Sequence, residues 1–221
     1  MQRLLLVRHA TTAATRRAAF PVTTGREAVA GCADLDAPGA AAATALGAAL
    51  PPVDRCWTSR ARRAVRTALC LGLTPDAHLA ELAEGDFGGW AGSTLDQVHG
   101  RDPDGLAAWL TDPGLTPHGG ESLASVRRRA ADVLARADAS DGTTVAVSHG
   151  GLIKAALLEV LGLPDAALWR VECAPASVTE LHPGPGGWRV ACVNWTPSPS
   201  AWQSGHGHSA GATAMTAGGS L

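Results

Sequence analysis

The chain alternates between short apolar runs and longer stretches in which apolar residues recur at helical spacing. Short continuous apolar runs are typical of buried parallel strands, and they predict strands at residues 3–8, 54–59 and 144–148. The stretches with helical spacing predict helices at residues 38–50, 60–72, 122–137 and 152–161. Two further short helices are predicted within residues 95–110. The glycine-rich segment 82–92 is predicted to be mostly loop.

A β-hairpin is predicted near the end of the patterned region. Residues 177–181 and 188–193 are apolar stretches that flank the turn sequence HPGPGG. The other strands alternate with helices along the chain, an order that favours parallel pairing. We therefore predict the α/β class: a single three-layer domain with a mostly parallel central sheet, an antiparallel margin and helices on both faces.

The composition changes near residue 197. Beyond it the chain consists mainly of Ser, Gly, Ala, Pro and His and shows no apolar periodicity. A segment of this kind has too little apolar surface to offset the entropy lost on folding. The sequence therefore predicts one folded domain at residues 1–196 and a disordered tail at residues 197–221.

The overall composition suits one globular domain, with 221 residues of which 46% are hydrophobic and 17% charged. The formal net charge is −2, from 18 Lys and Arg against 20 Asp and Glu, so a nucleic-acid-binding surface is not expected. Five cysteines occur without a CxxC pair, which favours reduced thiols in a reducing compartment.

The N-terminal apolar run is short. It has four residues before Arg8, whereas a secretory signal has an apolar region of ~7–15 residues. No apolar run approaches the ~20 residues that cross a membrane as a helix. We therefore expect a cytoplasmic protein with no membrane partner. The sequence leaves open whether the chain forms a homodimer.

Two histidines occupy equivalent places in the pattern, because His9 and His149 each follow a predicted buried strand directly. In open α/β sheets, ligands bind beyond the carboxyl ends of the strands. Arg8, at the end of the first strand, is a charged residue that a buried strand rarely carries without a specific partner. These three residues are therefore candidates for one pocket.

Five segments resemble, in the same order, the motifs of the histidine phosphatase superfamily, in the branch that includes the cofactor-dependent phosphoglycerate mutases. RHATT at residues 8–12 resembles Arg-His-Gly-x-Thr. TSRARRAVRTA at residues 58–68 is similar to Ser-x-x-x-Arg-Ala-x-x-Thr-Ala. The other three segments are LAEGDFGGWAG at residues 82–92, GGES at 119–122 and VSHGG at 147–151.

The resemblance implies a phosphoglycerate mutase-like fold and a site for phosphoryl transfer. It assigns His9 as the nucleophile that forms a phosphohistidine and Glu84 as the general acid and base. Arg8, Arg63 and His149 would bind the phosphate. The chemistry of these residue types agrees, because a neutral imidazole is nucleophilic and a guanidinium binds phosphate oxygens in pairs. A protonated His149 would add a third positive donor, and a carboxyl group can protonate a leaving alkoxide.

Other positions are candidates for substrate contact or depart from the family pattern. Thr15 stands where many members carry a phosphate-binding asparagine, and its hydroxyl can still donate one hydrogen bond. Arg60 lies three residues before Arg63, a spacing that places both on one helix face; it is either a substrate contact or a solvated surface charge. The arginines of residues 127–129 are interpreted as outer-face charges, with an internal brace as the alternative for Arg129.

The sequence favours a metal-independent phosphomonoesterase that acts on a small phosphorylated metabolite and uses no cofactor. A catalytic metal is not expected, because the chain has no HExxH motif or carboxylate cluster at ligand spacing. Residues 18–36 and 95–118 are expected to set specificity. The short length of the chain and the GDFGGW sequence at residues 85–90 favour the small-molecule phosphatases of this family, including those that act on α-ribazole 5′-phosphate.

Two alternative functions remain open at this point. A phosphoglycerate mutase would use the same residues but is expected to carry a longer insert for a closed lid. Here only 65 residues separate Glu84 from His149 (149 − 84). A non-catalytic module that binds phosphorylated ligands would be expected to lose His9 or Glu84, and both are present.

Overall fold

The computed structural model describes residues 2–22 and 34–197. The predicted disordered tail therefore lies outside the described residues from position 198 onwards, as does part of the specificity segment 18–36. The strands are β1 Arg3–Arg8, β2 Arg55–Thr58, β3 Ala77–His78, β4 Thr143–Ser148, β5 Val178–Gly184 and β6 Gly187–Trp195. The helices are α1 Ala13–Arg16, α2 Ala37–Ala49, α3 Arg62–Cys70, α4 Leu95–Arg101, α5 Pro103–Thr111, α6 Leu123–Asp138 and α7 Gly150–Leu161. Short 3-10 turns cover Ala80–Leu82, Gly88–Trp90 and Asp165–Arg170.

One six-stranded sheet crosses the domain in the order β3-β2-β4-β1-β5-β6. Strand β4 pairs in parallel with β1 and with β2, and β2 pairs in parallel with β3. Strand β5 is antiparallel to both β1 and β6. The predicted α/β class, with a mostly parallel sheet and an antiparallel margin, is confirmed.

The alternation of side chains along β1 builds two cores. Leu4 and Leu6 pack on one face of the sheet with residues of α6 and α7. Leu5 and Val7 pack on the other face with residues of α2 and α3. All four are nearly inaccessible to solvent, and each such burial contributes roughly 1.5–3 kcal/mol. A continuous apolar strand is therefore stable here because helices cover both faces, which confirms the three-layer prediction.

The register of the two central strands positions the site. Arg8 of β1 lies opposite Ser148 of β4, so the residues that follow the two strands emerge side by side. The backbone N–H of His9 donates to the carbonyl of Ser148 at 2.9 Å, which extends the ladder by one step. His149 begins helix α7 directly after β4. The parallel pairing thus brings His9 and His149 together.

An aromatic cluster supports the loops above the sheet. Phe20, Trp90, Val98 and Leu106 are buried together, and Phe87 and Trp109 pack against them. The ring centroids of Phe20 and Trp90 are 5.4 Å apart, within the range of favourable aromatic pairs. This cluster fixes the end of the segment 82–92 relative to the turn that follows α1. Among the described residues, no helix is both long and apolar enough to cross a membrane.

Candidate active site

His9 is held as a neutral imidazole with one defined tautomer. Its Nδ1 lies 2.8 Å from the carbonyl oxygen of Ala10. A carbonyl oxygen only accepts hydrogen bonds, so Nδ1 carries the proton and Nε2 keeps its lone pair. Burial, aided by the positive charge of Arg63, lowers the pKa of His9 to about 3. An unprotonated Nε2 is the form that a nucleophilic histidine requires.

His149 lies against His9 with its ring centroid 5.0 Å away. Its Nδ1 accepts from Arg63, with Nη2 at 3.2 Å and Nε at 3.3 Å. Because a guanidinium only donates, the proton of His149 is on Nε2, which lies 2.8 Å from the hydroxyl oxygen of Ser59. Burial and the nearby charge of Arg63 lower the pKa of His149 well below its ordinary value. His149 is therefore neutral in this structure, and the third positive donor predicted for a protonated ring is not supplied in this arrangement.

Arg63 reaches the histidines from the first turn of α3 and is 7% exposed. The hydroxyl of Thr67, one turn further along α3, donates to the Arg63 carbonyl at 2.7 Å. The same Thr67 oxygen accepts from the backbone N–H of Ala10 at 3.0 Å. A single threonine thus fixes the start of α3 to the backbone that follows His9.

Arg8 contributes the second cation beside His9. Its Nη1 donates to the backbone carbonyl of Cys173. Its Nε is buried and has no hydrogen-bond partner within the part of the chain that the structure describes. A buried donor without a partner costs roughly 1–3 kcal/mol. An anion bound in the cavity that Arg8 lines would supply the acceptor.

Glu84 approaches the start of α7 closely. Its Oε2 accepts from the backbone N–H of Gly151 at 3.3 Å, and its Oε1 accepts from the N–H of Gly85 at 3.1 Å. A Cβ atom at Gly151 would lie 2.4 Å from Oε1, so the Glu84 carboxylate would have to move away. The absence of a side chain at Gly151 therefore lets the carboxylate sit next to the second histidine motif.

The acid loop, residues 81–89, is braced by Arg129 of α6. The Nη1 of Arg129 donates to the carbonyls of Glu81 at 2.9 Å and Ala83 at 2.7 Å. Its Nε and Nη2 hold the two carboxylate oxygens of Glu121 at 2.9 and 2.6 Å. Burial alone would raise the pKa of Glu121, but the hydrogen bonds from Arg129 and Ser125 outweigh it and lower that pKa. Arg129 is thus an internal brace, and its alternative as an outer-face charge is wrong.

Arg127 also differs from the prediction of an outer-face charge. Its guanidinium donates to the carboxylates of Glu159 and Asp165, at 2.5 Å for Asp165, and to the Leu163 carbonyl at 3.1 Å. It joins α6 to α7 and the following turn, and none of the hydrogen bonds found for it in the described part of the chain reaches the acid loop. The sequence pattern missed this because both acids lie more than 30 residues away along the chain.

The predicted residues are not all brought to the cavity. Thr15 lines it from α1, with its hydroxyl 3.0 Å from that of Thr12. Arg60 is exposed and does not line the cavity. Its predicted place on one helix face with Arg63 is wrong, because α3 begins at Arg62 and its N-cap, Ala61, is extended.

One cavity of about 150 Å³ unites most of the candidates. Five predicted residues line it: Arg8, His9, Thr15, Arg63 and Glu84. Residues 18–22, among them Phe20, also line it and belong to the segment 18–36 that was expected to set specificity. Sequence reasoning did not single out Thr12 or Arg17, which lie in the same wall. It also missed Ser59 and Thr67, although both lie inside the quoted second motif. Among the described residues, no three His, Cys, Asp or Glu side chains cluster as metal ligands.

The fold and the site define a class of α/β protein in which two neutral histidines, the buried Arg63, the half-buried Arg8 and one carboxylate meet at the carboxyl ends of a parallel sheet. Residues 4–196 match the family model of the histidine phosphatase superfamily (branch 1). The chain belongs to this superfamily.

Curated relatives and solved structures agree with this membership. Glucosyl-3-phosphoglycerate phosphatase of Mycolicibacterium vanbaalenii is 36% identical over 122 residues, which are 48% of this chain and 53% of that protein. The chain thus spans about half the length of this relative. Adenosylcobalamin/alpha-ribazole phosphatase of Salmonella typhimurium is 32% identical over 141 residues, 60% of this chain and 70% of that protein. A mycobacterial glucosyl-3-phosphoglycerate phosphatase in complex with VO3 superposes with a TM-score of 0.75 at 30% identity, covering 88% of this chain and 99% of that chain.

Proposed function

We propose that this protein hydrolyses phosphate monoesters through a phosphohistidine on His9, with Glu84 as general acid and base. The observation that carries the proposal is the lone pair on His9 Nε2, fixed by the Nδ1 hydrogen bond to Ala10, in a cavity that Arg8, Arg63 and Glu84 also line. A nucleophile, two cations and a proton carrier thus share one small space. Phosphoryl transfer needs little more than this positioning and charge.

In the first step, Nε2 of His9 attacks the phosphorus atom and the bond from phosphorus to the ester oxygen breaks. Glu84, entering this step protonated, gives its proton to the departing alkoxide, which leaves as an alcohol. The Nδ1 proton stays on the His9 ring and remains hydrogen-bonded to the Ala10 carbonyl. This hydrogen bond stabilises the positive charge that the ring acquires when Nε2 becomes phosphorylated.

In the second step, water attacks the phosphorus of the phosphohistidine while Glu84, now ionised, accepts a proton from it. The bond from phosphorus to Nε2 breaks, inorganic phosphate leaves and His9 returns to its neutral form. Arg8 and Arg63 stabilise the negative charge on the phosphoryl oxygens in both steps because their positions are set before substrate binds. His149 orients Arg63 through its Nδ1.

We propose a small phosphorylated metabolite as the substrate. Two curated relatives are named for phosphatase activity on such molecules, glucosyl-3-phosphoglycerate and α-ribazole phosphate. Because these relatives are named for different substrates, they support the general class of reaction. Which alcohol portion of a substrate is accepted then depends on the residues that line the cavity.

The direct test is turnover of p-nitrophenyl phosphate by the purified protein in excess EDTA. We expect hydrolysis by the wild type and none by His9→Ala, with circular dichroism to verify that the variant is folded. Wild-type protein that binds phosphate without turnover would indicate a binding module instead. Activity lost in EDTA and restored by a divalent cation would contradict the metal-independent step.

A further inference from the structure

The cavity has a third arginine that the proposed chemistry does not use. Arg17 lines the same cavity as Arg8 and Arg63, but it is exposed. Within residues 2–22 and 34–197, its guanidinium has no hydrogen bond, ion pair or aromatic partner. The adjacent Arg16 differs, because its Nε contacts the carboxylate of Asp36 at 2.6 Å. The cation of Arg17 is therefore available to a ligand in the cavity.

The turn that carries Arg17 is held firmly. The backbone of Phe20 donates to the carbonyl of Ser93 at 2.9 Å, and Gly92 donates to the carbonyl of Phe20 at 2.9 Å. Ala18 has a φ of +49°, a left-handed conformation that costs free energy for a residue with a side chain. These bonds fix the turn next to the end of the acid loop. The backbone that carries Arg17 is thus already held by hydrogen bonds, so that little backbone entropy is lost when the side chain binds a ligand.

The charges of the cavity-lining residues indicate which kind of ligand the cavity would bind. The charged residues that line the cavity are Arg8, Arg17, Arg63 and Glu84, and His9 is neutral. The lining thus presents three guanidinium cations, while Glu84 is assigned to proton transfer in the proposed first step. A phosphate monoester dianion balances two of them, and Arg8 and Arg63 are the cations beside His9. One positive charge, on Arg17, remains for another part of the substrate.

We propose that Arg17 is a specificity-determining residue that binds a second anionic group, such as a carboxylate, on the alcohol portion of the substrate. The preferred substrates are then phosphate monoesters of hydroxy acids rather than of neutral alcohols. This inference rests on the proposed phosphatase function and names the substrate class of the same site. Charge complementarity of this kind selects among ligands that share the reacting phosphate.

The test compares two esters that differ at one group. 3-Phosphoglycerate has a carboxylate where glycerol 3-phosphate has a hydroxymethyl group. For the wild type we expect kcat/KM to be about ten-fold or more higher for 3-phosphoglycerate, because a charged hydrogen bond contributes at least this much. Arg17→Gln should bring the ratio of the two kcat/KM values close to one, mainly through KM. Arg17→Lys, which keeps the charge, should retain part of the preference.

Arg16→Gln is the matched control, since it removes a neighbouring cation that does not line the cavity. It should keep the wild-type ratio. A wild-type ratio near one, or a ratio that Arg17→Gln leaves unchanged, would overturn the inference while turnover of both esters upholds the phosphatase function. Failure to hydrolyse either ester or p-nitrophenyl phosphate would overturn the phosphatase function and this inference together.

Discussion

The protonation states of His9 and His149 follow from their immediate partners. Ala10 offers only a carbonyl to His9 Nδ1, and Arg63 offers only donors to His149 Nδ1. These opposite demands give the two rings opposite tautomers, with Nδ1–H on His9 and Nε2–H on His149. Burial then keeps both rings neutral. His9 therefore keeps a lone pair on Nε2, whereas His149 has both nitrogens engaged in hydrogen bonds.

The lowered pKa of His9 predicts a loss of stability in mild acid. In the unfolded chain His9 becomes protonated below pH ~6.5, whereas in the fold it stays neutral down to about pH 3. The unfolded state therefore binds more protons in this window, and the free energy of unfolding falls as the pH falls. Between pH 7 and pH 5 this one group removes about 2 kcal/mol. Urea denaturation of the wild type and of His9→Gln at pH 7 and at pH 5 measures this change in the free energy of unfolding.

The difference between the two proteins isolates His9, because every other titrating group is common to both. We expect the loss of stability between pH 7 and pH 5 to be smaller in His9→Gln by about 2 kcal/mol. Equal losses in the two proteins would contradict a neutral His9 in the fold.

At the level of residues, sequence could predict the groups that follow strands or fall in a recognisable motif. His9 and His149 are of this kind, since strand ends gather at one edge of a parallel sheet. The contacts of Ser59 with His149 and of Thr67 with Ala10 could not be predicted. They join segments 90 and 57 residues apart, and their geometry arises only when the sheet and α3 pack. Arg17 likewise became a candidate only when the cavity was defined.

The acid loop is the element whose position depends most on its neighbours. The segment 118–121 packs so closely on it that a Cβ at Gly120 would lie 2.1 Å from the Asp86 carbonyl. The backbone N–H of Glu121 donates to that same carbonyl at 2.8 Å. Together with the hydrogen bonds from Arg129 to the Glu81 and Ala83 carbonyls, these contacts fix the position of the acid loop. A loop without regular secondary structure can therefore present Glu84 at a fixed place.

Removing Arg129 should impair the acid role of Glu84 more than it impairs attack by His9. Arg129→Ala frees the carbonyls of the loop and lets Glu84 move. An alkyl alcohol needs a proton to leave far more than p-nitrophenol does. We expect Arg129→Ala to slow phosphohistidine formation from an alkyl phosphate at least ten-fold more than from p-nitrophenyl phosphate. Rapid-quench measurements of this step, with Glu84→Gln as the reference for complete loss of the acid, provide the comparison.

Arg127→Ala is the matched control for the brace. Both arginines lie on α6, with side-chain exposures of 21% for Arg127 and 20% for Arg129, and both pair with carboxylates. Arg127→Ala should lower stability but slow the two esters by the same factor. If Arg129→Ala also slows the two esters equally, Arg129 has a structural role alone and does not position the acid.

At the level of elements, the long patterned segments were the predictable ones. The apolar runs of β1 and β4 and the helices α6 and α7 agree with the predicted ranges to within a few residues. Strand β3 was missed because two residues are too few to form a pattern. Strand β6 extends to Trp195, beyond the predicted end, because pairing with β5 supplies its hydrogen bonds. Helix α3 begins two residues later than predicted because Arg60 and Ala61 are needed to turn the chain away from β2.

In the whole molecule, segments that are far apart in the sequence meet at one edge of the sheet. Strands β1 and β4 pair residues that are 140 positions apart in the chain, such as Arg8 and Ser148, and this pairing brings His9 and His149 within ring contact. Helix α3 adds Arg63, and α6 fixes the loop that carries Glu84. Arg8 and Arg63 both lie beside His9, the proposed nucleophile, and the two cores keep the strands that position it in register.

The proposed mechanism requires that His9 becomes covalently phosphorylated during turnover. Protein mixed with a phosphate monoester and quenched in base within milliseconds should contain phosphate at one histidine, stable in base and lost in acid. Peptide mapping by mass spectrometry should place it on His9, and His9→Ala should form no adduct. Phosphate on His149, or turnover at the wild-type rate by His9→Ala, would contradict the account.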